Sequence, residues 1–202
     1  MGASPWLVLL AIGLYGLVHS VLASLWVKAR LRQTFGPASE RWYRLAYNLF
    51  AVLSLLPVLV LPALLPDREL YRIPAPWLYL TLAGQALAAL LLLAGLLHTG
   101  VWSFLGLHQL IQSPAAEQPR LVVRGLYRWV RHPLYTAGLL LIWLLPVMTV
   151  NLLALSLGLM LYIVIGAMFE ERKLVDEFGQ AYVEYRRSTP MLVPFLPGKR
   201  GN

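Results

Sequence analysis

The chain contains no cysteine and few charged residues. The lack of cysteine excludes disulfides, thiolate metal sites and a cysteine nucleophile. Charged residues make up 13% of the 202 residues, whereas a soluble domain usually carries about a quarter. Hydrophobic residues make up 59%. This composition argues against an ordinary soluble domain and predicts an integral membrane protein.

Acidic residues are especially scarce, with 9 Asp and Glu against 17 Lys and Arg. In a membrane protein, such an excess of positive charge reports on topology and on contact with anionic lipid heads. The basic residues lie in short loops between apolar runs, which argues against a nucleic-acid partner. The sequence shows no internal repeat or low-complexity linker. We therefore expect one integral membrane domain over residues 1–202, with an N-terminal three-helix part at 1–110 and a core at 120–197.

Apolar runs of about 20 residues, the length that crosses a bilayer, predict the membrane spans. Residues 5–27, 45–65 and 77–97 form three, with Pro57 and Pro62 kinking the second. Pro146 and Asn151 break the uncharged run at 133–169, which leaves a first helix of about 20 Å. That helix is too short to cross alone. The predicted fold is all-α and polytopic, with five transmembrane helices, the last two in a tight hairpin, and a cytoplasmic C-terminal helical segment.

The distribution of Lys and Arg predicts the orientation. Fifteen of these residues follow the first, third and fifth predicted spans, and only Arg68 and Arg72 lie on the opposite side. The N-terminus is therefore expected outside and the C-terminus in the cytoplasm, in a bacterial cytoplasmic membrane. The first apolar run lacks a preceding basic segment, so we interpret it as a retained span and not as a signal peptide.

Two polar clusters flank the long uncharged run. Arg131 and His132 precede it in RGLYRWVRHPLYTAG, and Glu170 and Glu171 follow it. If the run folds as a hairpin, the clusters meet. Gly138, one turn into the first helix of the hairpin, allows a ligand or another backbone to come close. The C-terminus of a helix favours cations, so the helix dipole does not stabilise the two glutamates at this end of the run. Their position therefore indicates a specific role.

The segment after these glutamates has helical periodicity, interrupted by Gly179. Glu171, Val175, Phe178, Tyr182 and Tyr185 are spaced to lie on one helical face. This helix either lies on the membrane surface, or its aromatic face covers a pocket as a lid over residues 173–187, with Gly179 as the hinge. The arginines of RGLYRWVRHPLY either serve only as a topology signal or form one wall of that pocket.

Such a pocket suits a zwitterionic ligand with an aromatic ring. Arginine pairs with carboxylates, glutamate accepts hydrogen bonds from amino and ribose groups, and tyrosine stacks on rings or faces cations. S-adenosylmethionine has all these parts, but residue chemistry alone leaves nucleotides and anionic lipids open. We predict no metal site. His19, inside the first span, is either hydrogen-bonded to a neighbouring helix or functional. Haem ligation by His19 and His98 is disfavoured, because they are expected at different depths.

The segments RGLYRWVRHPLYTAG and EERKLVDEFGQAYVEYRRSTPMLVPF resemble the isoprenylcysteine carboxyl methyltransferase and phospholipid methyltransferase superfamily. The shared pattern is Arg-His-Pro-x-Tyr, Glu-Glu-x-x-Leu, Phe-Gly-x-x-Tyr-x-x-Tyr and a tail that ends in proline. The segments HSVLASLWVK, ERWYRLAYN, FLGLHQL and WLLPVMTVNLLA are similar to the methanethiol S-methyltransferase and NnrU-like branch.

The resemblance implies an S-adenosylmethionine-dependent membrane methyltransferase that acts on a small lipophilic or lipid-borne acceptor, first of all a thiol. The alternatives are carboxyl methylation of isoprenylcysteine, N-methylation of a phospholipid amine, and a non-enzymatic NnrU-like role. We assign catalysis to His132, Arg131 and Glu171. The predicted cofactor-binding residues, which include Tyr127 and Tyr185 from the same motifs, are Tyr127, Arg131, His132, Tyr135, Gly138, Glu170, Glu171, Tyr182 and Tyr185.

Overall fold

The computed structural model describes residues 2–36, 38–99 and 121–194, and for residues 40, 41, 98 and 99 it describes only the backbone. The side chain of His98, the predicted loop at 113–120, and the basic residues Lys199 and Arg200 therefore lie outside the described part of the chain.

The described chain is mostly helical. It also contains a short 3₁₀ turn at Gly125–Arg128 and two short strands, β1 (Glu69–Arg72) and β2 (Val147–Thr149). The helices are α1 (Ser4–Ala23), α2 (Leu25–Phe35), α3 (Ser39–Leu64), α4 (Trp77–Thr99), α5 (Pro133–Trp143), α6 (Val150–Phe178) and α7 (Gln180–Ser188).

Within the described residues, four helices are long and apolar enough to cross a membrane: Ser4–Ala23, Trp42–Leu64, Trp77–Leu97 and Val150–Phe178. These lengths and this composition are those of an integral membrane protein. The fourth predicted span is α5, which has 11 residues and is about 17 Å long. It is therefore as short as the sequence predicts. The count of five spans and the orientation stay predictions.

The first predicted span, at 5–27, ends earlier than expected. α1 stops at Ala23, and Ser24 has an extended backbone. The Ser24 side chain accepts a hydrogen bond from the backbone N–H of Val27 at 3.3 Å, so it caps the N-terminus of α2. Serine is among the preferred capping residues, which explains why a new helix begins here. α3, by contrast, continues as one helix through Pro57 and Pro62.

Contacts divide the chain into two units, and the predicted single domain stays a prediction. The described part of the first unit consists of residues 2–72 and 147–159. Within it, β1 and β2 pair antiparallel. The carboxylate of Asp67 accepts a hydrogen bond from the backbone N–H of Asn151 at 3.1 Å and thereby caps α6. The sequence predicts only a connector and a hairpin tip here, so this pairing is an addition to the prediction.

The described part of the second unit consists of residues 73–98, 121–146 and 160–194. α4 and α5 pack closely at Gly95. A Cβ atom at this position would lie only 2.5 Å from the side chain of Leu134, so the contact leaves no room for a side chain. Gln85 of α4 donates a hydrogen bond to the carbonyl of Leu141 at 3.0 Å. The last carbonyls of a helix lack partners within the helix, so Gln85 satisfies the C-terminal end of the short α5.

Candidate functional site

The segment before α5, residues 129–132, lies against the C-terminal tail, which is residues 189–194 of the described chain. The backbone N–H groups of Arg131 and His132 donate to the carbonyls of Pro190 and Met191, at 2.9 and 3.1 Å. These two hydrogen bonds hold residues 190 and 191 of the tail against the segment before α5. The two motifs of the sequence are therefore joined through the backbone, by residues that are 59 positions apart in the chain (131 to 190 and 132 to 191).

The Arg131 side chain is the centre of a buried ion pair. Its Nε donates to Oε1 of Glu171 at 2.6 Å, and the two side chains are only 8% and 9% exposed. Its Nη1 donates to the carbonyl of Arg186 at 3.0 Å and also to that of Thr189. These carbonyls belong to the end of α7, where helical carbonyls need external donors. Arg131 thus connects α6, the end of α7 and the segment before α5.

His132 is buried between the two glutamates. Its Nε2 lies 3.3 Å from Oε1 of Glu171, and its Nδ1 lies 3.7 Å from Oε2 of Glu170. The ring stacks on Tyr135 with centroids 5.2 Å apart, and the Tyr135 hydroxyl donates to Glu170 at 2.8 Å. Glu171 is buried, whereas the Glu170 side chain is 46% exposed. The cluster therefore has one carboxylate used internally and one that a ligand can reach.

α7 carries two tyrosines, Tyr182 and Tyr185, whose side chains point into the protein. Gly179 has a φ of 58°, a left-handed conformation that glycine adopts without strain, and it separates α6 from α7. Tyr182 and Tyr185 are buried and meet edge to face, with ring centroids 5.9 Å apart. The aromatic face of α7 therefore packs against protein and is not left open for a membrane surface. The role of residues 173–187 as a lid stays a prediction.

The two tyrosine hydroxyls differ in their hydrogen bonding. Tyr185 donates to the carbonyl of Tyr127 at 2.6 Å, whereas the buried Tyr182 hydroxyl, which lies beside the Arg131 guanidinium, donates to no described residue. Burial, followed by the nearby Glu171 carboxylate, raises the pKa of Tyr182 to about 12. Burial also raises the pKa of Tyr185 and of Tyr127. Tyr182 therefore keeps its proton at neutral pH and can donate a hydrogen bond.

The structure brings most of the predicted site residues into this one network. Gly138 does not take part, and a Cβ built on it meets nothing within 4 Å. Tyr127 takes part through its backbone carbonyl. The residues whose side chains belong to the network are Arg131, His132, Tyr135, Glu170, Glu171, Tyr182 and Tyr185.

Sequence analysis missed Thr136 and the tail carbonyls. The Thr136 hydroxyl lies 2.7 Å from the Leu192 carbonyl, to which it can donate. The sequence signal is a hydroxyl one turn after His132 in an otherwise apolar helix. The tail carbonyls carry no such signal, because every residue has one.

His19 lies in the first unit. Of the two interpretations of this histidine, a hydrogen bond to a neighbouring helix or a functional role, the structure shows the first. Its Nε2 is hydrogen-bonded to the hydroxyl of Tyr47 on α3, and its Nδ1 lies 3.4 Å from the hydroxyl of Tyr15. The prediction of a histidine bonded to a neighbouring helix is confirmed.

Comparison with known proteins gives the same family as the motifs. The phospholipid methyltransferase family matches residues 83–181. Methanethiol S-methyltransferase 1 of Bradyrhizobium diazoefficiens is 32% identical over 93% of this chain and 66% of its own length. Methanethiol S-methyltransferase of Crocosphaera subtropica is 30% identical over 94% of this chain and 74% of its own length.

A more distant relative matches only part of the chain. Protein-S-isoprenylcysteine O-methyltransferase of Xenopus laevis is 31% identical over 45% of this chain and 33% of its own length. No solved structure matches the chain. The chain spans about two thirds of the length of the first curated relative it matches. From its motifs and these relatives, the chain belongs to the family of membrane methyltransferases that includes the methanethiol S-methyltransferases.

Proposed function

We propose that the protein is an S-adenosylmethionine-dependent membrane methyltransferase whose acceptor is a thiol. Family membership supports the reaction class, and the names of the relatives support the thiol. The observation that carries the cofactor assignment is the buried Tyr182 hydroxyl, whose O–H has no acceptor among the described residues of the family's motif cluster. An unpartnered buried donor costs free energy, and a polar ligand would satisfy it.

The residues of the cluster fit the parts of this cofactor. Tyr182, protonated at neutral pH, can donate to the cofactor's carboxylate. Glu170, which is half-exposed, can accept from its amino group or ribose hydroxyls. Arg131 has its Nε and Nη1 donors bonded within the protein, so we assign it to positioning Glu171 and the tail and not to direct contact.

The protein's own contribution is to orient the reactants, move a proton and exclude water. When bound, S-adenosylmethionine supplies a methyl group that the acceptor sulfur takes, while the departing thioether sulfur keeps the electron pair of the broken bond. A thiol must also lose its proton. We assign this to Nδ1 of His132, because Nε2 faces Glu171. Glu170, 3.7 Å from Nδ1, would stabilise the charged imidazole that results.

The test of this function is methyl transfer by the purified full chain in phosphatidylcholine nanodiscs. With S-adenosylmethionine labelled in its methyl group, methanethiol should yield labelled dimethyl sulfide. Label in prenylated cysteine or phosphatidylethanolamine instead would select one of the alternative acceptors. Absence of label in all of these and in hydrogen sulfide would reject the enzyme and favour a non-enzymatic role.

Two tyrosine variants test the cofactor site, and they are expected to change the stability of the protein in different directions. Tyr182→Phe removes a hydroxyl whose O–H has no acceptor among the described residues, so stability should rise or stay the same, while affinity for S-adenosylmethionine should fall about tenfold. Tyr185→Phe removes a donor to Tyr127, so it should lower stability by about 1 kcal/mol. Calorimetry and thermal unfolding of the cofactor-free protein measure both. Unchanged affinity in Tyr182→Phe would remove this hydroxyl from the site.

The proposed orientation places the N-terminus outside and the C-terminus in the cytoplasm. The chain has no cysteine, so single cysteines report on position without a background. Lys28→Cys should react with an impermeant maleimide only after the cytoplasmic side is opened, and Arg68→Cys should react in intact cells. Labelling of both positions from the same side would contradict the fifteen-to-two distribution of charge as a guide to topology.

A further inference from the structure

The second unit contains an apolar cavity that the proposed chemistry does not use. It has a volume of about 580 Å³, and its described walls come from α4, α5, α6, the 3₁₀ turn and the C-terminal tail. None of the described lining residues is charged. Representative lining residues are Leu91, Trp129, Ala137, Leu140, Trp143 and Met160.

The cavity adjoins the polar cluster, because residues next to those of the cluster form part of its wall. Pro133 lines it and directly follows His132, and Thr136 and Leu192 line it as well. The hydrogen bond between these last two residues holds the tail against α5. The cavity wall and the proposed reaction centre are thus built from the same two segments.

The size of this cavity does not suit methanethiol, which has two non-hydrogen atoms. Pockets of about 300–1,000 Å³ hold drug-sized ligands. A charged head group would find no partner on the described walls, and its burial there would be unfavourable. Resting on the proposed function, we infer that the acceptor is a thiol with one uncharged hydrocarbon chain. The chain lies in the cavity, and the sulfur lies at its His132 end.

A chain-length series tests this inference. In phosphatidylcholine nanodiscs, kcat/KM should rise from methanethiol through hexanethiol to decanethiol, by up to about fourfold per methylene. Leu140→Trp, which narrows the cavity, should lower the preference for decanethiol over methanethiol about tenfold or more. Leu161→Trp is the matched control, because Leu161 is exposed and does not line the cavity. Thiol partitioning into the bilayer is common to all variants, so the ratio isolates the cavity.

Two further measurements keep the inference separate from the proposed function. Leu140→Ala, which removes a partly exposed side chain, should shift the preferred chain to a longer thiol. Decyl methyl sulfide, the methylated product expected from decanethiol, should bind the cofactor-free wild type, where no methyl donor is present, and bind Leu140→Trp about tenfold more weakly. Methylation of methanethiol with no dependence on chain length would overturn the inference and leave the function intact. If decyl methyl sulfide binds the wild type and Leu140→Trp weakens this binding, but no thiol is methylated, the result would support the cavity as a hydrocarbon-binding site and reject the proposed methyltransferase function.

Discussion

Replacing His132 with alanine is expected to slow methyl transfer to a thiol about 10²–10⁴-fold at neutral pH, the usual contribution of a positioned acid or base. His132 is buried, with one ring nitrogen 3.3 Å from Glu171 and the other 3.7 Å from Glu170. We assign proton removal from the acceptor to this second nitrogen. The measurement is single-turnover methyl transfer in the variant and the wild type.

The pH dependence separates a proton acceptor from a structural histidine. As pH approaches the pKa of the thiol, more acceptor is already ionised and needs no base. The rate of His132→Ala should therefore recover toward that of the wild type. A deficit that is the same at every pH would contradict the assignment and leave His132 as a positioning residue. Circular dichroism of the variant checks that α5, which begins directly after His132, still forms.

The second large effect is expected from Glu171→Gln, which should destabilise the protein by roughly 3–5 kcal/mol. The glutamate and Arg131 are 9% and 8% exposed and 2.6 Å apart. Removing one charge leaves the other buried without compensation, which is the costly case for a buried pair. Thermal unfolding of the variant and the wild type in phosphatidylcholine nanodiscs gives the difference in stability. The sequence alone suggested a cofactor ligand, but the observed contacts make this glutamate a structural partner as well.

The neighbouring Glu170 provides the matched control. Its side chain is 46% exposed and bonds Tyr135, so Glu170→Gln should change stability by less than about 1 kcal/mol. The double variant Arg131→Met with Glu171→Leu leaves no unpaired charge, so it should recover part of the stability that Glu171→Gln loses. The recovery is only partial, because the carbonyls of Arg186 and Thr189 then lose their Arg131 donor. Equal destabilisation by Glu170→Gln and Glu171→Gln would show that burial of the pair is not the cause.

Several features of the site could be predicted from the order of residues. A long uncharged run with Arg131 and His132 at one end and two glutamates at the other indicates that the clusters meet. The spacing of Glu171, Tyr182 and Tyr185 indicates one helical face, and the two tyrosines are indeed buried. Local patterns suffice here, because helical periodicity and the lack of charge act over short distances.

Other features depend on partners that lie far apart in the chain. The bonds from Arg131 to the carbonyls of Arg186 and Thr189 cross more than 50 residues, and backbone carbonyls carry no sequence signature. The pairing of β1 with β2 likewise joins segments that look like a connector and a turn when each is considered alone.

By itself, the sequence determined the membrane character, the short α5 and the family, because composition, apolar run length and motif order are properties of the chain. Only the tertiary structure decided what each polar group does. It made one glutamate a buried ion-pair partner and left its neighbour accessible. It paired the Tyr185 hydroxyl with a carbonyl, left the Tyr182 O–H without a described acceptor, and formed an apolar cavity beside His132. The physical reason is that burial and hydrogen-bond pairing depend on which segments meet, and adjacent residues of identical type can have opposite environments.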